Sequence, residues 1–138
     1  MPGKLTTEKE VVLSQDVAEQ FKEALWKVEE DRDLKPMLEV LSEDCEVGNV
    51  AVPETFHGQD GAREFWTQYR KTFDEMKSSF RNIFAGDGRA ALEWTTEATE
   101  EGDTVSYEGV SILEIEGNEV KRFMAYFDPS HLTRQIVD

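Results

Sequence analysis

Residues 105–128, VSYEGVSILEIEGNEVKRFMAYFD, decide the fold. Their side chains alternate with a period of two on both sides of a Gly117-Asn118 pair, the signature of two strands joined by a hairpin. Val105, Tyr107, Gly109, Ser111, Leu113 and Ile115 share one face of the first strand. Ser106, Glu108, Val110, Ile112 and Glu114 share the other. On the second strand Phe123, Ala125 and Phe127 oppose Arg122, Met124, Tyr126 and Asp128. A three-residue loop would gather Glu108, Glu114, Arg122 and Asp128 on an outer face and leave the inner face nearly apolar. The charge pattern favours this register. A two-residue Gly117-Asn118 turn would shift the pairing by one, mix charges into both faces and bring Asp128 beside Tyr107 and Ser111.

Upstream, the same period continues through KSSFRNIFAG and RAALEWTTEATEE, punctuated by GDG and EGD. Four strands therefore form an antiparallel meander. The first half of the chain is helical. Ser14 is placed to cap a helix running to about Glu30, with Val17, Phe21, Ala24, Leu25 and Val28 as its apolar face. A short helix follows Asp33, where Pro36 is tolerable in the first turn and Met37, Leu38 and Leu41 face inward. CEVGNVAV is a weaker strand candidate, and PETFHG a loop. A third helix spans about Asp60 to Phe73, with Ala62, Phe65, Trp66, Tyr69 and Phe73 as its stripe. After Asp128 a short helix from Pro129 to about Ile136 closes the chain. Helices first and a meander after them make an α+β domain. Residues 1–13 read as an N-terminal extension and 14–138 as one domain.

The chain has 138 residues and a formal net charge of −15. That charge argues against nucleic acid or an anionic membrane surface as partner. The amino-terminal MPGKLTTEKE lacks the apolar core of a signal peptide, and no run approaches the ~18 apolar residues of a span. With a single cysteine, Cys45, no internal disulfide forms. A cytoplasmic location is expected.

SEDCEVGNVAVPETFHGQDGAREFW, residues 42–66, resembles the helix-to-strand-to-helix segment of the nuclear transport factor 2-like superfamily. Ketosteroid isomerases carry a similar stretch of equal length, ending in a Gly and a REF-aromatic helix. VSILEIEGNEVKRFMAYFD resembles the last hairpin of limonene epoxide hydrolases and SnoaL-like polyketide cyclases. The resemblance runs from about Ser14 to near the end of the chain. It implies a cone, in which a curved antiparallel sheet wraps a long N-terminal helix and leaves an apolar pocket at its wide end. Many relatives dimerise.

Carried over residue by residue, the catalytic patterns of these relatives do not fit. The slot of the isomerases' carboxylate base holds Asn49, which cannot accept a proton as a base does. Their oxyanion-hole positions match Leu25 and Ser111, and a supporting Tyr matches Trp66. The epoxide hydrolases' Arg-x-Asp is missing from LEWTTEA. Their pocket carboxylate, in a slot the cyclases also use for an acid, falls on Ala125. Asp128 matches the later acid of that motif.

The resulting expectation is a SnoaL-like protein whose apolar pocket binds a small hydrophobic molecule. Leu25, Trp66, Trp94, Tyr107, Phe123 and Phe127 wall the pocket, and Asn49 and Ser111 supply polar handles. One alternative is an isomerase, cyclase or epoxide hydrolase using Asp128 with Tyr107. Another is a non-catalytic dimeric interaction domain. Asp128 is also well placed as a helix cap before Pro129. Val110, Ile112, Met124 and Tyr126 form an outer apolar strip suited to a homodimer. His57 reads as a loop histidine, His131 as exposed and Cys45 as a buried inert thiol. Trp26 lies off its helix stripe and suits a contact with another subunit. No metal-ligand spacing occurs, and no cofactor is expected.

Overall fold

The computed structural model describes residues 2–129, and side chains from Val11 onward. Helix α1 (Pro2–Trp26) runs into one π-helical turn (Lys27–Asp31), followed by α2 (Lys35–Val40), β1 (Leu41–Asn49), β2 (Phe56–His57) and α3 (Gly58–Lys71). Four long strands complete the fold: β3 (Glu75–Gly86), β4 (Arg89–Glu100), β5 (Asp103–Glu116) and β6 (Glu119–Phe127). The sheet order is β2-β1-β6-β5-β4-β3. It is a curved, open, mixed sheet, because β1 runs parallel to β6 while every other pair is antiparallel. The expected all-antiparallel sheet is corrected at that one pairing: α3 and the meander intervene between β1 and β6, so the chain can return in the same direction.

The fold is the expected α+β cone. The concave face carries Leu92, Trp94, Thr96, Val105, Tyr107, Leu113, Phe123 and Ala125, all buried against α1 and α3. Phe21 of α1 stacks on Phe123 at 5.3 Å and meets Trp66 of α3 edge-on at 6.1 Å. Burying one such ring contributes roughly 1.5–3 kcal/mol, so this aromatic layer joins helices to sheet.

Four boundaries differ from expectation. Helix α1 begins at Pro2, so Ser14 lies inside it. The Ser14 hydroxyl, buried, accepts the Gly88 N–H at 3.0 Å instead of capping. That bond pins the helix to the Asp87-Gly88 turn, where both residues have positive φ. Strand β1 takes in Leu41 and ends at Asn49, so Val50 to Val52 form a turn; PETFHG contributes the two residues of β2. Helix α3 starts at Gly58 and ends at Lys71. The predicted closing helix, with His131, lies outside the described residues.

The hairpin register combines both sequence alternatives. Glu116 pairs with Glu119 around a two-residue Gly117-Asn118 turn, but Glu114 pairs with Arg122. Lys121 is the extra residue of a β-bulge between them. The bulge restores the pairing that a three-residue loop would have given. Glu114 and Arg122 therefore share the outer face, 3.4 Å apart, and Ser111 pairs with Ala125 on the inner one. Trp26, half-buried, donates Nε1–H to the Ser78 carbonyl at 2.8 Å and packs on Phe80.

Candidate functional site

A cavity of about 270 Å³ occupies the concave side of the sheet. Leu25, Trp66, Trp94, Tyr107, Phe123 and Phe127 line it, with Asn49 and Ser111. Phe56 and Phe65 add further rings. Ala51, Gln68 and Thr72 line it and are exposed, which marks the mouth between the loop after β1 and the end of α3. Among the described residues, no Asp, Glu or His lines it.

The strand wall is built around Ala125. Register places Asn49 of β1 on one side of it and Ser111 of β5 on the other. The Asn49 Oδ1 accepts the Ala51 N–H at 2.8 Å, a bond that leaves the amide nitrogen of this lining residue its protons to donate. The Ser111 hydroxyl accepts Trp94 Nε1–H at 2.9 Å and keeps its own proton to donate. Two donors thus flank a methyl group where relatives hold an acid. Gly109 makes room for the Trp94 ring: a Cβ there would lie 2.8 Å from Cζ2 and collide with the Tyr126 carbonyl oxygen.

The helix wall holds a carboxylate that the sequence reading passed over. Glu29, in the π-helical turn, is 0% exposed. Its Oε1 accepts the Ser78 N–H at 2.8 Å. Its Oε2 accepts Tyr69 O–H at 2.7 Å and Ser78 Oγ–H at 2.6 Å. Ser78 and Thr96 hydroxyls are 2.7 Å apart. Tyr69, Ser78, Thr96 and Tyr107 line the cavity, so Glu29 stands one hydroxyl behind its surface. The signal was present: Glu29 lies four residues after Leu25 and eight after Phe21, on the buried stripe. The buried Arg70 guanidinium fixes this end of α1, donating from Nε to the Glu29 carbonyl at 2.9 Å and from its other nitrogens to Phe73 and Asp74 carbonyls. The Glu29 carbonyl belongs to the last helical turn, and those of Phe73 and Asp74 to the link between α3 and β3.

Burial pushes the Glu29 carboxyl above its ordinary 4.5, against hydrogen bonds from Ser78 and Tyr69 and the charge of Lys77. Burial, then the Glu29 charge, raises Tyr69 well above its usual range, and the same two causes raise Tyr107. Both phenols stay protonated at neutral pH.

The remaining sequence candidates lie elsewhere. Asp128 is exposed beyond β6 and is not among the cavity's lining residues. With Tyr107, Thr95, Ser106 and Glu108 it lines a separate depression. The expected catalytic pairing of Asp128 with Tyr107 therefore has no place in the cavity, because the bulge puts Asp128 in line with the outer-facing Arg122, Met124 and Tyr126. His57 is exposed, its ring 3.2 Å from the Thr55 hydroxyl, and away from the cavity. Cys45 is buried, near the Gly58 carbonyl, and burial raises its thiol above the ordinary range.

The fold is shared with solved structures. TerC co-crystallized with polyporic acid superposes with a TM-score of 0.76 at 20% identity, covering 88% of this chain and 98% of that one. An NTF2-like protein of unknown function from Burkholderia pseudomallei gives 0.77 at 20%, over 90% and 97%. An LEH-like epoxide hydrolase from M. tuberculosis gives 0.69 at 16%, over 90% and 91%. At these identities the likeness carries the fold and no more. No curated protein matches the sequence. Residues 19–123 match the SnoaL-like domain, which covers most of the chain, and the protein belongs to that family.

Proposed function

We propose that this protein binds a small hydrophobic molecule in the concave cavity, oriented by the donors of Asn49 and Ser111. The carrying observation is the cavity: about 270 Å³, with a largely apolar surface to which many aromatic rings contribute. That volume sits just under the ~300 Å³ at which ordinary ligand pockets begin. The ligand is therefore a one- or two-ring compound, such as a terpenoid or polyketide fragment, rather than a whole steroid. An open cavity also favours this reading over an interaction domain whose cone is merely core. Among the described residues the cavity surface offers no carboxylate, so an isomerase, cyclase or hydrolase working by the relatives' usual acid slot has no support at Ala125.

Titration with p-nitroanisole tests the reading, since a nitroaromatic seated between Trp66 and Trp94 quenches their fluorescence. Saturable quenching at one equivalent is expected, and Ala125→Phe, which fills the cavity from its wall, abolishes it. Quenching that never saturates, or that Ala125→Phe leaves unchanged, defeats the pocket.

The reading includes a homodimer through Val110, Ile112, Met124 and Tyr126. These outer-face residues are half-buried to exposed, and Phe84, 66% exposed, extends the strip. Sedimentation at micromolar concentration should give a dimer that Tyr126→Lys weakens; a wild-type monomer rejects it.

A further inference from the structure

The directions of the hydrogen bonds around Glu29 fix what the cavity asks of a ligand at its helix wall. With Glu29 ionised, three donors are committed to it: Ser78 N–H, Ser78 O–H and Tyr69 O–H. Ser78, having given its proton away, accepts from Thr96. Each hydroxyl has one proton and two lone pairs. What Tyr69 and Thr96 have left for the cavity is therefore lone pairs, Thr96 sharing its own with the neighbouring Tyr107 hydroxyl, and these call for a ligand donor. With Glu29 protonated, the acid proton enters the same chain and one hydroxyl proton is released toward the cavity, which then suits an oxyanion. One proton on Glu29 thus decides whether this wall accepts or donates, and a ligand that can lose a proton fits both settings.

We propose that Glu29 takes up the proton of a ligand bearing an acidic hydroxyl, a phenol or the enol of a dicarbonyl compound, so that the ligand is held as its anion beside a neutral Glu29. The step balances without oxidant or reductant. The ligand O–H bond breaks as its proton passes to Tyr69 Oη, and the Tyr69 proton passes to Glu29 Oε2. The Ser78–Thr96 pair offers a parallel path of the same kind. The total charge of the site does not change. The anion's oxygen then meets Tyr69 and Thr96, and the far end of the ligand reaches the Asn49 and Ser111 donors.

The surroundings of Glu29 agree with a proton moving there. In its own turn Lys27, Glu30 and Asp31 are exposed, and Lys27 is paired to Asp31 at 3.3 Å. From α3 it faces Tyr69 and Arg70, the latter committed to backbone carbonyls. From β3 it faces Lys77, which is paired to Glu30 at 3.0 Å, and from β5 Tyr107. No cation is bonded to its carboxylate among the described residues, and burial already favours its neutral form.

This inference rests on the pocket reading, and calorimetry separates the two. p-Nitrophenol and its methyl ether p-nitroanisole are titrated in buffers of different ionisation heat, at a pH above the phenol's own pKa. The wild type should take up about one proton per p-nitrophenol bound and none with p-nitroanisole. Glu29→Gln should still bind p-nitrophenol, with proton uptake near zero. Infrared difference spectra of the wild type should gain a carboxylic acid band with the phenol only, a readout that needs no variant to fold. Equal uptake in wild type and Glu29→Gln, or no such band in the wild type, overturns the proposal. Binding of the ether without proton-coupled binding of the phenol sinks this proposal and leaves the pocket standing. Failure of both probes to bind defeats the two together.

Discussion

The two walls of the cavity solve opposite problems. The strand wall, Asn49, Ala125 and Ser111, presents donors around a methyl group and holds no charge. The helix wall hides a carboxylate behind Tyr69 and Ser78 and satisfies it three times over. A strand places its side chain directly in the cavity, so an acid on it is in contact with the ligand. A helix end packed behind hydroxyls keeps its acid dry and reaches the ligand only through them. The difference teaches that an empty acid slot does not make a pocket proton-inert; it shows only that no carboxylate touches the ligand from that side.

Removing the buried acid breaks the comparison most severely. Glu29→Ala strands three donors, each costing ~1–3 kcal/mol when left dry. Water entering from the adjacent cavity softens this, and we expect a loss of about 3 kcal/mol, or about 10 °C in Tm, by urea and thermal unfolding. An unchanged midpoint would mean that Glu29 is not buried as described. The subtler variant, Glu29→Gln, reads the charge. Burial raises the folded carboxyl above its unfolded 4.5, so the folded state holds the proton more tightly. The stability this contributes is complete below 4.5 and is lost as pH rises through the folded value. The wild type should therefore lose stability relative to Glu29→Gln as pH climbs from 4.5 toward neutrality. A difference that is flat or opposite in slope over that window would contradict the raised value.

Putting an acid back on the other wall sharpens the contrast. Ala125→Asp restores the relatives' carboxylate between Asn49 and Ser111, whose donors offset part of its desolvation. A cost of about 2 kcal/mol at neutral pH is expected, within the range for introducing a buried polar group. It should shrink on acidification, because the apolar wall favours the neutral acid. Affinity for p-nitroanisole should fall as well. A variant equally stable at both pH values would show that position 125 is wetter than the cavity geometry implies.

What the sequence revealed and what it hid follow from the same physics. Strand parity is local, so the inner faces of β4, β5 and β6, and with them Trp94, Tyr107, Ser111, Phe123 and Phe127, were readable from alternation alone. The bulge at Lys121 was not, since a two-residue turn plus one extra residue yields the same faces as a three-residue loop. Ser14 looked like a cap because its hydroxyl is suited to one; its true partner, Gly88, is 74 residues away. Glu29 was passed over for a similar reason. A charged residue at a helix end is usually solvated, and only the approach of Ser78 and Tyr69, 49 and 40 residues distant, makes it buried and satisfied. The parallel pairing of β1 with β6 is likewise a long-range fact with no local signature.

The smallest expected effect tests the outer end of β6. Asp128 follows the last paired residues, Gly109 with Phe127, and is exposed. Asn and Asp rank alike as residues that start a helix, so Asp128→Asn preserves a cap before Pro129 if Asp128 makes one. Stability should change by less than about 0.5 kcal/mol in urea unfolding. Quenching by p-nitroanisole and proton uptake with p-nitrophenol should both match the wild type, because the residue lies outside the cavity and the acid that serves it is Glu29. The register depends on a single residue, Lys121, whose bulge turns Asp128 away from the concave face. A tenfold loss of affinity in a folded Asp128→Asn protein would mean that the bulge is absent in solution and the two-residue turn sets the whole hairpin. In that event the outer ion pair of Glu114 with Arg122 would also be broken, so Arg122→Ala would leave stability unchanged.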